Sequence, residues 1–83
     1  MFQIILNELI EIAKEMISAE GLLPPNDKEL RRVMRLYSCS SRRFREGPYT
    51  VPYILEHRSS EYTRWHLVEF VQKRITLRPV AQG

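Results

Sequence analysis

Residues 2–19 carry apolar side chains at the three- and four-residue spacing that places them on one face of a helix. The apolar positions are Phe2, Ile5, Leu6, Leu9, Ile12, Ala13, Met16 and Ile17, and Ile4 and Ile10 widen the face. Glutamates and other polar residues occupy the opposite side. So broad an apolar arc in an 83-residue chain predicts either the central helix of the core or a helix partly buried against a second copy.

The length of the chain favours a single domain over residues 1–83, with a loose tail at 76–83. A chain this short buries only about 60% of the surface that its unfolded form exposes, so dimerisation is a common source of additional stability. Hydrophobic residues make up 43% of the chain and charged residues 28%, which is typical of a folded domain rather than a disordered segment.

Three sequence features predict a cytoplasmic protein. Cys39 is the only cysteine, so no disulfide can form within the chain, and one free thiol suits a reducing compartment. Glutamates and Lys14 interrupt the apolar segment 1–19, which therefore lacks the run of about 20 apolar residues that a membrane span needs. Because this segment also lacks the basic start of a signal peptide, we expect no membrane association.

Capping residues predict the boundaries of the next helices. Gly21 is a stop signal for the first helix, and Asn26, with Glu29 three residues later, is a capping-box start for a second helix over Asp27–Tyr37. The core-facing residues of this second helix are expected to be Leu30, Val33, Met34 and Tyr37.

The second half of the chain predicts three shorter helices. Ser40 or Ser41 can cap a short third helix, and Thr50, with Pro52 in the first turn, can cap a fourth. Ser59 or Ser60 can cap a last helix over about Glu61–Ile75. The expected apolar stripe of this last helix is Tyr62, Trp65, Val68, Val71 and Ile75.

Residues 49–57 and 65–77 are also rich in β-branched and aromatic side chains, which keeps a two-stranded wing open as an alternative. The predicted fold is therefore mainly α: a small domain of four to five helices with a helix-turn-helix-like segment. The alternative is an α+β winged helix.

Charge is distributed unevenly along the chain. Residues 1–29 hold two basic and six acidic groups, a net charge of −4, whereas residues 30–83 hold eleven basic and four acidic groups, a net charge of +7. Arginines concentrate between residues 31 and 45, and no acidic residue lies among them. This segregation predicts a surface for an anionic partner, although an arginine-rich solvated face on an ordinary helical bundle would produce the same pattern.

The stretch 27–58 can be laid out as a helix-turn-helix, with Asp27–Tyr37 as its first helix, Ser38–Ser40 as the turn and Ser41–Glu46 as the recognition helix. The recognition helix would enter the major groove of DNA while flanking arginines hold phosphates. The predicted nucleic-acid-binding residues are Arg31, Arg32, Arg35, Ser40, Ser41, Arg42, Arg43 and Arg45.

Part of this stretch resembles the lambda-repressor-like helix-turn-helix regulators of phages and mobile elements. The resemblance lies in an aromatic residue at the end of the recognition helix, a glycine three residues later and a Val-Pro that opens the next helix. These are Phe44, Gly47 and Val51–Pro52. The chain departs from the family pattern at Ser41, where the family has an apolar residue. The resemblance implies a DNA-binding regulator.

Other chemistry receives little support from the sequence. Cys39, His57 and His66 lack the paired local spacing of a zinc site, and no glycine-rich phosphate loop or paired catalytic carboxylates are present. We therefore expect no metal, no cofactor and no enzymatic activity. Aromatic residues at helical spacing are more often core than base-stacking platforms, and Tyr49 and Tyr53 are the best stacking candidates.

The sequence thus predicts a DNA-binding transcriptional regulator that binds double-stranded DNA through its arginines and can dimerise through Phe2–Ala19. The alternative is a protein-interaction module, or an inhibitor, that docks its basic patch on an acidic surface of a larger complex. The choice between DNA and RNA, the target sequence and the direction of regulation stay open.

Overall fold

The computed structural model describes residues 2–40 and 50–81. Within these ranges the chain forms four α-helices and no strand. The helices are α1 Phe2–Ala19, α2 Asp27–Ser40, α3 Val51–Glu56 and α4 Glu61–Gln72. The mainly α fold is confirmed. The two-stranded wing is wrong for residues 50–77, because α3 and α4 occupy this stretch.

The C-terminus of α1 is closed by the glycine that the sequence marks as a stop. Gly21 adopts a φ of 74°, in the left-handed region that glycine tolerates best. The amide of Gly21 donates to the Ser18 carbonyl (3.0 Å), and the amide of Leu22 donates to the Ile17 carbonyl (3.2 Å). This pair of hydrogen bonds is a Schellman motif, and it satisfies carbonyls that the end of the helix would otherwise leave without partners.

Helix α2 begins where predicted but ends later. The Asn26 side chain accepts a hydrogen bond from the Glu29 amide (2.8 Å), as an N-cap should. The predicted turn at Ser38–Ser40 is wrong, because these residues continue the helix. The Ser38 hydroxyl donates to the Met34 carbonyl one turn earlier (3.0 Å), a local bond that lets serine remain in a helix.

Helix α3 follows its predicted start. The Thr50 hydroxyl accepts a hydrogen bond from the Tyr53 amide (3.3 Å), and Pro52 lies in the first turn, where no helical amide hydrogen bond is lost. Ile54 is the fully buried residue of this short helix. The predicted third helix, Ser41–Glu46, lies outside the described residues.

Helix α4 buries a different face from the one predicted. Val68 and Val71 are buried, but Tyr62 and Trp65 are 72% and 66% exposed. The expected stripe advanced by three residues per step, and each such step falls about 60° short of a full turn at 3.6 residues per turn. After three steps the stripe has moved halfway round the helix. The residues that α4 buries are Thr63, Leu67, Val68, Phe70 and Val71.

The core is built around α1, which packs against α2, α3 and α4. Tyr37 of α2 is fully buried and forms an edge-to-face contact with Phe70 of α4, with the ring centroids 4.8 Å apart. The N-terminal end of α1 is more open than its sequence predicts. Ile10 is buried as expected, whereas Ile4 and Ile5 are exposed.

The segment after α4 returns to the connection that follows α1. The amide of Leu23 donates to the Arg78 carbonyl (2.8 Å), and the amide of Val80 donates to the Gly21 carbonyl (2.9 Å). These bonds flank an antiparallel β-bridge between Leu22 and Pro79. Residues 78–80 of the predicted loose tail therefore have backbone partners within the fold, and the mobility of this tail stays a prediction.

Candidate nucleic-acid interface

The outward face of α2 carries a row of cations because its inward face carries the core. Leu30, Val33, Met34 and Tyr37 are all buried, as predicted, and this fixes the orientation of the helix. The basic residues lie three and four positions apart on the remaining surface. They are Lys28, Arg31, Arg32 and Arg35, which we call the arginine face. Lys28, Arg32 and Arg35 are exposed.

The acidic start of α2 is paired with α1 rather than with the arginine face. The Lys14 ammonium lies 2.6 Å from the Asp27 carboxylate and 3.4 Å from that of Glu11. The hydrogen bond with Asp27 is the main cause that raises the pKa of Lys14. Among the described residues, neither Arg32 nor Arg35 forms an ion pair. Their positive charges are therefore uncompensated within this part of the fold.

Arg31 differs from its two neighbours. Its guanidinium Nη2 donates to the Asn7 side-chain oxygen of α1 (2.9 Å), and the residue is half-buried. This bond uses one of the five guanidinium donors and holds the side chain at the edge where α2 meets α1. Arg31 thus joins the two helices and also borders the arginine face.

The structure brings together Arg31, Arg32 and Arg35 of the predicted site. The backbone of Ser40 belongs to the last turn of α2. The other predicted residues, Ser41, Arg42, Arg43 and Arg45, lie outside the described ranges, together with the Ser40 side chain.

The basic residues at the C-terminal end of α4 are engaged, unlike those of the arginine face. The Lys73 ammonium lies 3.1 Å from the Glu69 carboxylate. The Arg74 guanidinium lies 3.6 Å from the centroid of the Phe70 ring and donates to the Phe70 carbonyl (3.0 Å). With His66, these residues line a shallow pocket of about 230 Å³. We therefore separate this cluster from the candidate interface.

The remaining sequence candidates are dispersed. Cys39 is exposed on α2, whereas the His57 ring packs against the Tyr53 ring with centroids 4.2 Å apart. His66 contacts the buried Tyr37 ring, and burial lowers its pKa. In residues 2–40 and 50–81 no three His, Cys, Asp or Glu side chains are grouped so that they could hold a metal ion.

Sequence reasoning missed a second surface, on the outer side of α4. Tyr62, Trp65 and Arg64 form a shallow groove of about 310 Å³ with two carboxylates, those of Glu20 and Glu61. This surface could have been predicted from the angular positions of Tyr62 and Trp65 around the helix relative to Leu67 and Phe70. With Leu67 and Phe70 placed in the core, the helical period turns Tyr62 and Trp65 outward.

No family model, curated protein or solved structure gives a significant match to this chain. Among the described helices, none combines the length and the apolar character that crossing a membrane requires.

Proposed function

We propose that this chain is a small DNA-binding regulator that holds the phosphates of a duplex with the arginine face of α2. The observation that supports this function is the exposure of Arg32 and Arg35 without an ion pair among the described residues. Arginine is well suited to phosphate because its planar fork of donors matches the phosphate oxygens. The net charge of +3 adds a general attraction to nucleic acid.

The dimensions of the arginine face suit a duplex. Lys28 and Arg35 are two helical turns apart, about 10 Å along the axis, whereas successive phosphates of one DNA strand rise about 3.4 Å along the duplex. Exposed side chains of this length can reach phosphates along one wall of the major groove. The segment 41–45, with its three further arginines, would then supply contacts to base edges.

The alternative function uses the same residues on a different partner. An acidic protein surface also attracts a row of arginines, and a protein that docks there could act as an inhibitor of a larger complex. The two functions differ in their salt dependence and in their preference for duplex phosphate, which makes them separable by experiment.

The decisive experiment measures binding to a labelled mixed-sequence duplex at low and at physiological salt, with light scattering on the same sample. We expect binding with a steep salt dependence, and a dimer if the protein reads two half-sites. Replacing both Arg32 and Arg35 by Ala should reduce the slope of log affinity against log salt by about 2, because each phosphate contact contributes about 0.9.

The matched control is Arg58→Ala, which removes one positive charge from an exposed residue between α3 and α4. This variant should change the slope less than either single arginine substitution on α2. Absence of duplex binding even at low salt would exclude the DNA-binding function. The acidic protein partner would then become the leading hypothesis, to be sought by pull-down.

The segment beyond α2 needs its own variants. Arg42→Ala and Arg43→Ala should each lower duplex affinity if this segment contributes to the interface, as the helix-turn-helix layout predicts. If both variants bind like the wild type while Arg32→Ala and Arg35→Ala weaken binding, the contact is confined to α2.

A further inference from the structure

We propose that the groove on the outer side of α4 binds a segment of a partner protein that presents an arginine or lysine beside an aliphatic side chain. The groove residues are Glu20, Glu61, Tyr62, Arg64 and Trp65. This surface goes beyond the proposed DNA-binding function and does not depend on it, because it shares no residue with the arginine face.

The aromatic residues give the groove its apolar contact area. Tyr62 and Trp65 are three positions apart on α4, so their side chains are neighbours on one face of the helix. Both rings are mostly exposed, Tyr62 to 72% and Trp65 to 66%. Burial of such rings by a partner removes apolar surface from water, and Trp, Tyr and Arg are the residue types enriched at interface hot spots.

Arg64 is held in place before any partner arrives. Its Nε donates to the Glu20 carboxylate (3.1 Å), which ties the first turns of α4 to the end of α1. Its Nη2 lies 3.9 Å from the Glu61 carboxylate, a looser contact. A side chain that is already ordered loses less conformational entropy on binding, which favours association.

The charge of the groove determines the chemistry of its partner. Two carboxylates face one guanidinium, and the Glu61 side chain remains 86% exposed. Glu61 can therefore accept a hydrogen bond from an incoming cation. The exposed indole of Trp65 adds to this preference, because a cation over an aromatic face is attracted by the ring quadrupole. A phosphate would instead be repelled by the acidic rim, so the groove does not suit a nucleic acid.

The arginine face of α2 is a poor competitor for the same partner. Its positive charges repel a cationic segment, whereas the Glu20 and Glu61 carboxylates of the groove attract one at short range. A basic segment is therefore better matched to the groove than to α2.

The chain provides its own reporter for the test, because Trp65 is the only tryptophan. A short synthetic peptide of alternating arginine and leucine is titrated into the protein while Trp65 fluorescence is recorded. We expect a saturable change with a dissociation constant below about 100 µM, which is typical of a weak, short-peptide contact. A matched peptide with glutamate in place of arginine should cause no saturable change.

Variants assign the binding to individual side chains. Tyr62→Ala should weaken peptide binding by about tenfold, the change expected on truncating an interface anchor. Glu61→Gln should weaken it by a smaller factor, because it removes the carboxylate but keeps the shape. The matched control is Leu36→Ala, which removes an exposed apolar side chain from α2 and should leave peptide affinity unchanged.

Three results would overturn the proposal. The first is no saturable change with the arginine peptide, or equal binding of the glutamate peptide. The second is equal weakening by Leu36→Ala and Tyr62→Ala. The third is a wild-type protein that sediments as a dimer while the Tyr62→Ala variant sediments as a monomer. This result would make a second copy of the chain the occupant of the groove. Failure of duplex binding leaves each of these outcomes unchanged, so the two proposals are tested separately.

Discussion

Helices α2 and α4 pack on the same central helix, α1, yet their solvent-facing sides differ in chemistry: α2 presents arginines and α4 presents aromatic rings. In α2 four of the apolar residues, Leu30, Val33, Met34 and Tyr37, are buried, and Arg32 and Arg35 are exposed. Apart from the exposed Leu36, sequence polarity and burial therefore agree. In α4 the two are mismatched, because Tyr62 and Trp65 are exposed whereas Thr63 is fully buried. At 72% and 66% exposure, Tyr62 and Trp65 add little buried apolar area to the isolated domain. The partner segment that we propose for the groove would bury both rings.

The sharpest test of this contrast compares two tyrosines. Tyr37→Ala should reduce the free energy of unfolding by about 3–5 kcal/mol, because the buried ring contacts Phe70 and His66 and leaves a cavity when removed. Tyr62→Ala should change it by less than about 0.5 kcal/mol, as is usual at exposed positions. Urea denaturation followed by circular dichroism measures both. Similar values for the two variants would contradict the difference in burial.

A second test asks whether the two surfaces act independently. Reversal of charge in the double variant Arg32→Glu, Arg35→Glu should lower duplex affinity by at least about tenfold while leaving thermal stability nearly unchanged. Trp65→Ala should leave duplex affinity within about twofold of the wild type, since well-separated sites without shared partners have additive effects. A large loss of duplex binding in Trp65→Ala would show that α4 belongs to the nucleic-acid interface.

The buried threonine of α4 allows a smaller prediction. The Thr63 hydroxyl is buried and has no hydrogen-bond partner among the described residues. Thr63→Val keeps the branched shape and removes the unsatisfied hydroxyl, so it should stabilise the protein by about 1 kcal/mol. Thr63→Ser keeps the hydroxyl and loses the methyl group, and should destabilise it. A higher melting temperature for Thr63→Ser than for Thr63→Val would show that the Thr63 hydroxyl has a hydrogen-bond partner in solution.

The pH dependence of stability gives the smallest effect. Burial, as the main cause, lowers the pKa of His66 below its ordinary value of 6.5. The unfolded chain then takes up a proton at a higher pH than the folded protein, so this histidine makes stability fall as the pH drops below about 6.5. The drop in melting temperature between a pH above 6.5 and a pH below it should be smaller for His66→Gln than for the wild type.

The control for this prediction is His57→Gln, which removes the other histidine, located at the end of α3 and exposed. Comparison of the two variants separates the effect of losing His66 from that of losing any histidine. An unchanged pH dependence in His66→Gln would assign the effect to the carboxylates instead.

Local signals in the sequence were sufficient for much of the fold. The bounds of α1 follow from its apolar pattern and Gly21, and the starts of α2 and α3 follow from Asn26 and Thr50. These features depend on residues within one or two helical turns, which sequence patterns contain. The later end of α2 was missed because serines are read as breakers unless their hydrogen bond to the preceding turn is known.

Nonlocal features could not be read in the same way. The buried face of α4 depends on how it packs against α1, and the predicted stripe from Tyr62 to Ile75 satisfied the spacing rule although Tyr62 and Trp65 are exposed. The pairing of Leu22 with Pro79 joins residues 57 positions apart. The periodicity of the sequence reports local structure and therefore cannot predict such a contact. For the candidate interface, the exposure of Arg32 and Arg35 was predicted, whereas the bond of Arg31 to Asn7 was not.

The central position of α1 has a consequence for biosynthesis. It is the first of the four described helices to leave the ribosome, but the elements that cover its apolar side are made after it. At about 5–20 residues per second, this side stays open for several seconds. Until α4 docks, the nascent chain therefore exposes apolar surface of the kind that makes incompletely folded chains prone to aggregate.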